Sequence, residues 1–289
     1  MTMRDAAPPV CITGMHRSGT SMVANMLRVA GLYLGPERGL VATRLGNPDG
    51  HWENREFLAL NDEVLARLGG WWAAPPPPRA YARLARLSAQ KEKAGRLLGE
   101  FAGHPWWGWK DPRNCLTFPF WLDLLPGVRA VVCLRHPLEV VRSLERRSDE
   151  VIRTNWPRVS SSRLGVKLWR ALDRATGELR LRPRNFFPAE HWLALWATYN
   201  RRVVEFTSPE RRIVTHYDSF FTRPRAELER VLKFLGAPCS DEALARCGAV
   251  ISGELRHERL TARELRDAGA GAEVLDLYAR LCEEAGVSP

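Results

Sequence analysis

The sequence predicts an α/β fold in which a parallel sheet lies between layers of helices. Two observations carry this. Short apolar runs stand at Val10–Thr13, Arg129–Leu134 and residues 212–215, and stretches with helical apolar spacing lie between them. Strands alternating with helices return to one sheet by right-handed crossovers, which leaves the strands parallel. A third observation is a glycine-bounded turn where the first strand becomes the first helix. With 289 residues the chain can bury a sizeable core, and we read it as a single domain over 1–289.

The elements follow in order. Val10-Cys11-Ile12-Thr13 is an apolar strand, and the turn runs over residues 14–19. A helix then carries Met22, Val23, Met26, Leu27 and Ala30 on one face and stops at Gly31. Residues 54–68 read as a helix ended by Gly69-Gly70, and four prolines at 75–78 make a stiff loop before a basic helix that reaches about Gly103. Gly108-Trp109-Lys110 is a strand edge closed by Pro112. Arg129–Leu134 is the strongest buried strand, and Pro137 opens the next helix where its missing N–H does no harm. Trp192, Leu195, Trp196, Tyr199, Val203 and Phe206 mark one face of a long amphipathic helix. A strand at 212–215 and a helix bearing Leu228, Val231, Leu232 and Leu235 follow. Residues 150–187 have poor periodicity and read as an insertion over the core.

Composition narrows the function. No run approaches the roughly 18 apolar residues of a membrane span. Residues 1–9 lack the apolar stretch of a signal peptide. The six cysteines form no CxxC pair, and Cys11 and Cys133 sit inside strands as small core residues. A reduced, cytoplasmic protein without structural zinc is expected. The formal charge of +10 attracts anions: nucleic acid, acidic membrane or a small polyanionic substrate. Its Lys and Arg are dispersed rather than blocked, which argues against a nucleic-acid-binding tail. Trp71, Trp72, Trp106, Trp107 and Trp109 cluster near turns, where they can line a pocket or plug the core.

The turn Gly14-Met15-His16-Arg17-Ser18-Gly19-Thr20-Ser21 lies where backbone N–H groups and a positive helix end can cradle a phosphate. Its spacing copies the nucleoside-triphosphate loop GxxxxGK[ST], but Thr20 holds the Lys position and the cation is Arg17, inside the loop. A kinase or ATPase needs that Lys and a magnesium ion. Further on, Arg135 leaves the C-terminal end of its strand, where open α/β sheets bind ligands, and Ser143 lies about two turns into the next helix, able to lean back toward it.

These segments resemble the sulfotransferase family. Arg17-Ser18-Gly19-Thr20-Ser21 looks like its 5′-phosphosulfate loop, and Leu134-Arg135-His136-Pro137 with Ser143 looks like its 3′-phosphate site. The resemblance implies a three-layer, P-loop-like fold and a donor, 3′-phosphoadenosine 5′-phosphosulfate (PAPS), released as adenosine 3′,5′-bisphosphate. Trp109-Lys110-Asp111-Pro112-Arg113 resembles the KDP segment of tyrosyl-protein and related bacterial sulfotransferases, which sets Lys110 by the bridging oxygen. Residues 47–54 look like the loop that presents an acidic base there, which makes Glu53, or else His51, the proton acceptor. His216-Tyr217-Asp218 resembles a segment near the nucleotide, implicating Tyr217, and Leu255-Arg256-His257 resembles a stretch that closes on the cofactor, implicating Arg256. Asp111-Pro112 stand where small-molecule sulfotransferases carry a catalytic His, so that base is absent.

Because a sulfuryl group carries less charge than a phosphoryl group, Arg17 and Lys110 suffice without a metal in this reading. Residues 70–100 and 150–187 match nothing in the family and would shape the acceptor site, for a glycan, phenol, peptide or lipid. Plainer readings stand beside these: a strand-end salt bridge for Arg135, a pair with Asp111 for Lys110, a helix N-terminal acid for Glu53. A kinase with a degenerate loop and a basic nucleic-acid-binding module are the competing functions.

Overall fold

Side chains along a strand alternate between the two faces of a sheet, and this protein uses that alternation to feed two separate cores. The structure, a computed structural model, describes residues 7–41, 50–146, 188–251 and 260–289. Strands β1 (Val10–Thr13), β2 (Gly108–Lys110), β3 (Arg129–Leu134) and β4 (Arg212–His216) form one sheet in the order β2-β1-β3-β4, every pairing parallel. One face presents Cys11, Trp109, Ala130, Val132, Leu134 and Val214. It is covered by α2 (Arg55–Arg67), α3 (Ser88–Phe101), α4 (Asn114–Leu124), a helix α5 over residues 137–146, and α6 (Ala189–Phe206). The opposite face presents Val10, Ile12, Val131, Cys133 and Ile213 to α1 (Thr20–Val29) and to α7 (Ser219–Thr222), α8 (Pro224–Leu235) and α9 (Asp241–Gly248). Short α10 (Ala262–Asp267) and α11 (Ala272–Glu284) return to the first face. This is the three-layer α/β arrangement that the sequence predicts.

Strands β1, β2 and β3 start and stop where the apolar runs do. The basic helix after the prolines differs: it is split into a 3₁₀ turn, Pro78–Arg86, and α3. Leu87, with φ −88° and ψ 47°, breaks the helical path between them. Helix α4 escapes periodicity altogether. Cys115, Leu116, Phe118, Phe120 and Trp121 are buried around its whole circumference, and Pro119 lies inside it, so no apolar stripe exists to be read. Trp107 and Trp109 plug the core, whereas Trp71 is 49% exposed. No described helix is long and apolar enough to cross a membrane. Residues 150–187 lie outside the described part.

At the end of β4, His216 is buried against Tyr278 of α11. Its Nδ1 accepts the Asp218 amide at 3.2 Å, so the ring proton sits on Nε2, 3.2 Å from the Tyr278 hydroxyl. Protonating Nδ1 would break the first bond. Burial is the largest cause that lowers its pKa, to about 4; Asp218 opposes it, and His136 and Arg135 add to it. A group held neutral in the fold stabilises it above the unfolded value near 6.5 and loses that contribution as pH falls toward 4. On the order of 2–3 kcal/mol should disappear across that window. Replacing His216 with Asn, which keeps an acceptor but does not titrate, should flatten this part of the melting-temperature profile. Parallel profiles for the two proteins would remove His216 as the cause.

Candidate functional site

All four strands deliver a candidate residue at their C-terminal ends, the edge where open parallel sheets bind ligands. Strand β1 runs into residues 14–21, β2 ends on Lys110, β3 runs into Arg135, and β4 into Tyr217. The loop after β1 is shaped by close approach. Gly14 has φ 141°, and a Cβ there would stand 2.3 Å from the Cys133 carbonyl oxygen. Gly19 has φ 85°, and its Cβ would meet the Tyr217 ring at 2.4 Å. Neither position admits a side chain without displacing backbone or a buried ring. Gly19 is also the N-cap of α1, with no side-chain acceptor to cap the helix and no acid in its first turn. The positive end of α1 therefore has no anionic side chain of its own within the first turn. Ser18 is buried, and its Oγ has no hydrogen-bond partner among the described residues.

The first cluster joins β2 to the loop before α2. Lys110 Nζ lies 2.6 Å from Glu53 Oε1, 3.0 Å from the His51 carbonyl oxygen and 3.1 Å from Ser21 Oγ. Lys110 is 2% exposed and Glu53 7%, so this is a buried ion pair. His51 Nδ1 stands 3.8 Å from the other Glu53 oxygen. Ser21 Oγ also donates to the His51 carbonyl at 3.3 Å. Two donors thus converge on that carbonyl, and Trp52, next along the chain, adopts a left-handed φ of 59°. Its ring lies 4.4 Å beneath the Arg28 guanidinium. Glu53 does not cap α2; the Asn54 side chain accepts the Glu56 amide and does so instead.

Asp111, adjacent to Lys110, faces the other way. It accepts from Asn61 Nδ2 at 2.8 Å, the Arg113 amide at 2.9 Å and Arg113 Nη1 at 3.1 Å. Burial pushes this carboxyl up, and Arg113 and Asn61 pull it back. Asn61 Oδ1 in turn accepts from Thr117 and Trp121 at 2.7 and 2.8 Å. The network fixes the turn from β2 into α4 and leaves Lys110 to Glu53 rather than to Asp111.

The second cluster surrounds α5. Arg17, left-handed at φ 70°, donates from Nε to Ser143 Oγ at 2.9 Å. Arg135 donates from Nε to Glu139 Oε2 at 2.8 Å and from Nη1 to the Arg17 carbonyl at 3.3 Å. Its guanidinium carbon lies 4.3 Å over the Tyr217 ring, the same ring that abuts Gly19. Burial raises the Tyr217 hydroxyl, and Arg135 opposes the shift.

Of the residues singled out from sequence, the structure brings Ser21, His51, Glu53 and Lys110 into one cluster. It brings Arg17, Gly19, Arg135, Ser143 and Tyr217 into a second, and residues 14–21 belong to both. Ser143 bonds to Arg17 rather than to Arg135. Thr20 opens α1 and is buried. Arg256 and residues 47–49 lie outside the described part. Sequence reasoning missed Glu139, which pairs with Arg135; the signal was an acid four residues after an Arg near a helix start.

A parallel α/β sheet with a glycine-bounded loop between β1 and α1 defines a P-loop-like protein. A model of the sulfotransferase family matches residues 8–241, and the chain belongs to that family. This separates it from the kinases whose loop spacing it shares. Many solved structures are similar, among them the three that follow. The sulfotransferase domain from the curacin biosynthetic pathway has a TM-score of 0.50 at 17% identity, covering 98% of this chain and 99% of that one. Sulfotransferase STF9 from Mycobacterium avium gives 0.52 at 16%, covering 98% and 78%. Sulfotransferase STF1 from Mycobacterium tuberculosis H37Rv gives 0.51 at 14%, covering 97% and 76%. At such identities the likeness is one of fold. No curated protein matches the sequence.

Proposed function

We propose that this protein moves a sulfuryl group from PAPS to a hydroxyl or amine of a glycan, phenolic, peptide or lipid acceptor. The observation that carries the reading is the buried Lys110–Glu53 pair, fastened through Ser21 to the loop between β1 and α1. The loop fits a phosphorylated donor: Ser18 Oγ is buried without a described partner, α1 has no side-chain cap, and Tyr217 fills the space beside Gly19. When bound, PAPS supplies the sulfuryl group together with adenosine 3′,5′-bisphosphate as its leaving group.

In this reading Arg17, Ser18, Gly19, Thr20 and Ser21 hold the 5′ end of the donor. Arg135 and Ser143 hold its 3′-phosphate, Tyr217 flanks it, and Arg256 is a further proposed contact. Glu53 takes the acceptor proton, with His51 as its neighbour and understudy. Proton uptake at Glu53 also neutralises the counter-ion of Lys110. The ammonium charge, until then shared with a carboxylate, becomes available where negative charge grows. The Trp72 ring, 4.8 Å from that of His16 in the loop, supports an aromatic-lined acceptor entrance. All six cysteines are free thiols, which supports a cytoplasmic location.

Thermal shift tests the reading directly. Adenosine 3′,5′-bisphosphate should stabilise the protein far more than AMP, since a ligand at 100 times its Kd adds about 2.7 kcal/mol. Arg135→Ala should erase most of the difference by removing a charged hydrogen bond worth about 1.5–3 kcal/mol. Equal shifts from the two nucleotides in the wild-type protein would overturn it.

A further inference from the structure

Arg135, Glu139 and Ser143 follow one another at intervals of four, so Glu139 and Ser143 share one face of α5 at the edge of the site. Each holds an arginine that the proposed donor site uses. Ser143 Oγ accepts from Arg17 Nε at 2.9 Å, and Glu139 Oε2 accepts from Arg135 Nε at 2.8 Å. Glu139 is 2% exposed, and its second oxygen accepts the Leu260 amide at 3.3 Å, so the carboxylate cannot swing away without breaking two bonds. Three other contacts complete the seat of Arg135. Nη1 donates to the Arg17 carbonyl, the guanidinium face rests on Tyr217, and the Arg135 carbonyl accepts from Trp196 Nε1 at 3.2 Å.

A planar guanidinium held by its Nε edge, by Nη1 and by one face has a single orientation. Besides the second N–H of Nη1, what remains is Nη2, which has no hydrogen-bond partner among the described residues. The geometry points to Glu139 as a positioning residue for donor binding: it aims Arg135 Nη2 at the 3′-phosphate. The inference rests on the donor reading given above.

Electrostatics alone predicts the opposite sign. A buried carboxylate beside an anion site repels the anion, so removing its charge should tighten binding. Aiming predicts that removal loosens binding, and only for ligands bearing the 3′-phosphate. Isothermal titration of adenosine 3′,5′-bisphosphate and of AMP separates the two. Glu139→Ala should lower the affinity ratio between these nucleotides about tenfold or more. Glu139→Gln, which keeps the side-chain shape and a neutral acceptor for Arg135 Nε, should restore part of the ratio. AMP affinity should stay within about twofold in both variants, given that AMP lacks the phosphate that Arg135 is aimed at. An unchanged ratio, or tighter adenosine 3′,5′-bisphosphate binding in both variants, overturns the role of Glu139 while leaving the donor assignment standing. A wild-type protein that does not distinguish the nucleotides overturns the donor assignment itself, and the inference falls with it. Should Glu139→Ala fail to fold, the Gln variant decides alone: a reduced ratio supports aiming, and an unchanged or increased one refutes it.

Discussion

Lys110→Met should reduce sulfuryl transfer about 10²–10³-fold, measured as adenosine 3′,5′-bisphosphate released from PAPS with a panel of acceptors. Met approximates the Lys chain length and removes the ammonium that Ser21, the His51 carbonyl and Glu53 hold in place. On the proposed reading, in which the charge acts where the bridging oxygen gains electrons, the loss should fall on kcat rather than on nucleotide affinity. A second effect follows from burial. Glu53 would keep its charge without its partner, and breaking one half of a buried pair costs about 3–5 kcal/mol of stability. Near-wild-type turnover in Lys110→Met would take Lys110 out of the chemistry.

Glu53→Gln should cut turnover about 10²–10⁴-fold, the range typical of lost general-base assistance. Binding of adenosine 3′,5′-bisphosphate should survive. His51→Asn should have the smaller effect, because His51 reaches the cluster through its carbonyl and stands 3.8 Å from the carboxylate. The double variant Glu53→Gln with Lys110→Met separates folding from chemistry. With both charges gone it should recover stability lost by either single variant and remain inactive. If the double variant regains turnover with its stability, the pair is structural. If Glu53→Gln stays active while His51→Asn does not, the proton goes to His51.

The legible parts of the fold were those with a one-dimensional signature. Strand β3 is a run of small and branched apolar residues closed by Arg135 and Pro137, and α6 shows its buried face at helical spacing. Helix α4 was not legible, because burial on every side erases the contrast on which periodicity depends. The loop of residues 14–21 was visible as a spacing, yet its glycine requirements come from Cys133 and Tyr217, more than a hundred residues away. The pairing of Lys110 with Glu53 shows the same limit. Adjacency in sequence favours Asp111, and only the Asn61 and Arg113 bonds to Asp111 reveal why Lys110 looks elsewhere. Long-range partners of charged residues are decided by topology, which a local pattern does not encode.

Arg17 and Trp52 are the non-glycine residues with left-handed backbone among those described, and both lie in the loops that carry the candidate chemistry. A non-glycine residue held there costs on the order of 1–3 kcal/mol. Glycine would relieve that strain at either position, although it would also loosen the unfolded chain. At Trp52 the ring packs against the second core and under Arg28, and losing it outweighs the relief, so thermostability selection is drawn instead toward Arg17, whose guanidinium the proposed donor site uses. On the proposed donor reading, screens that score melting temperature alone should enrich Arg17 variants that are sturdier but hold the donor less well, so a useful library keeps this position fixed and seeks its gains on the outer faces of the helices.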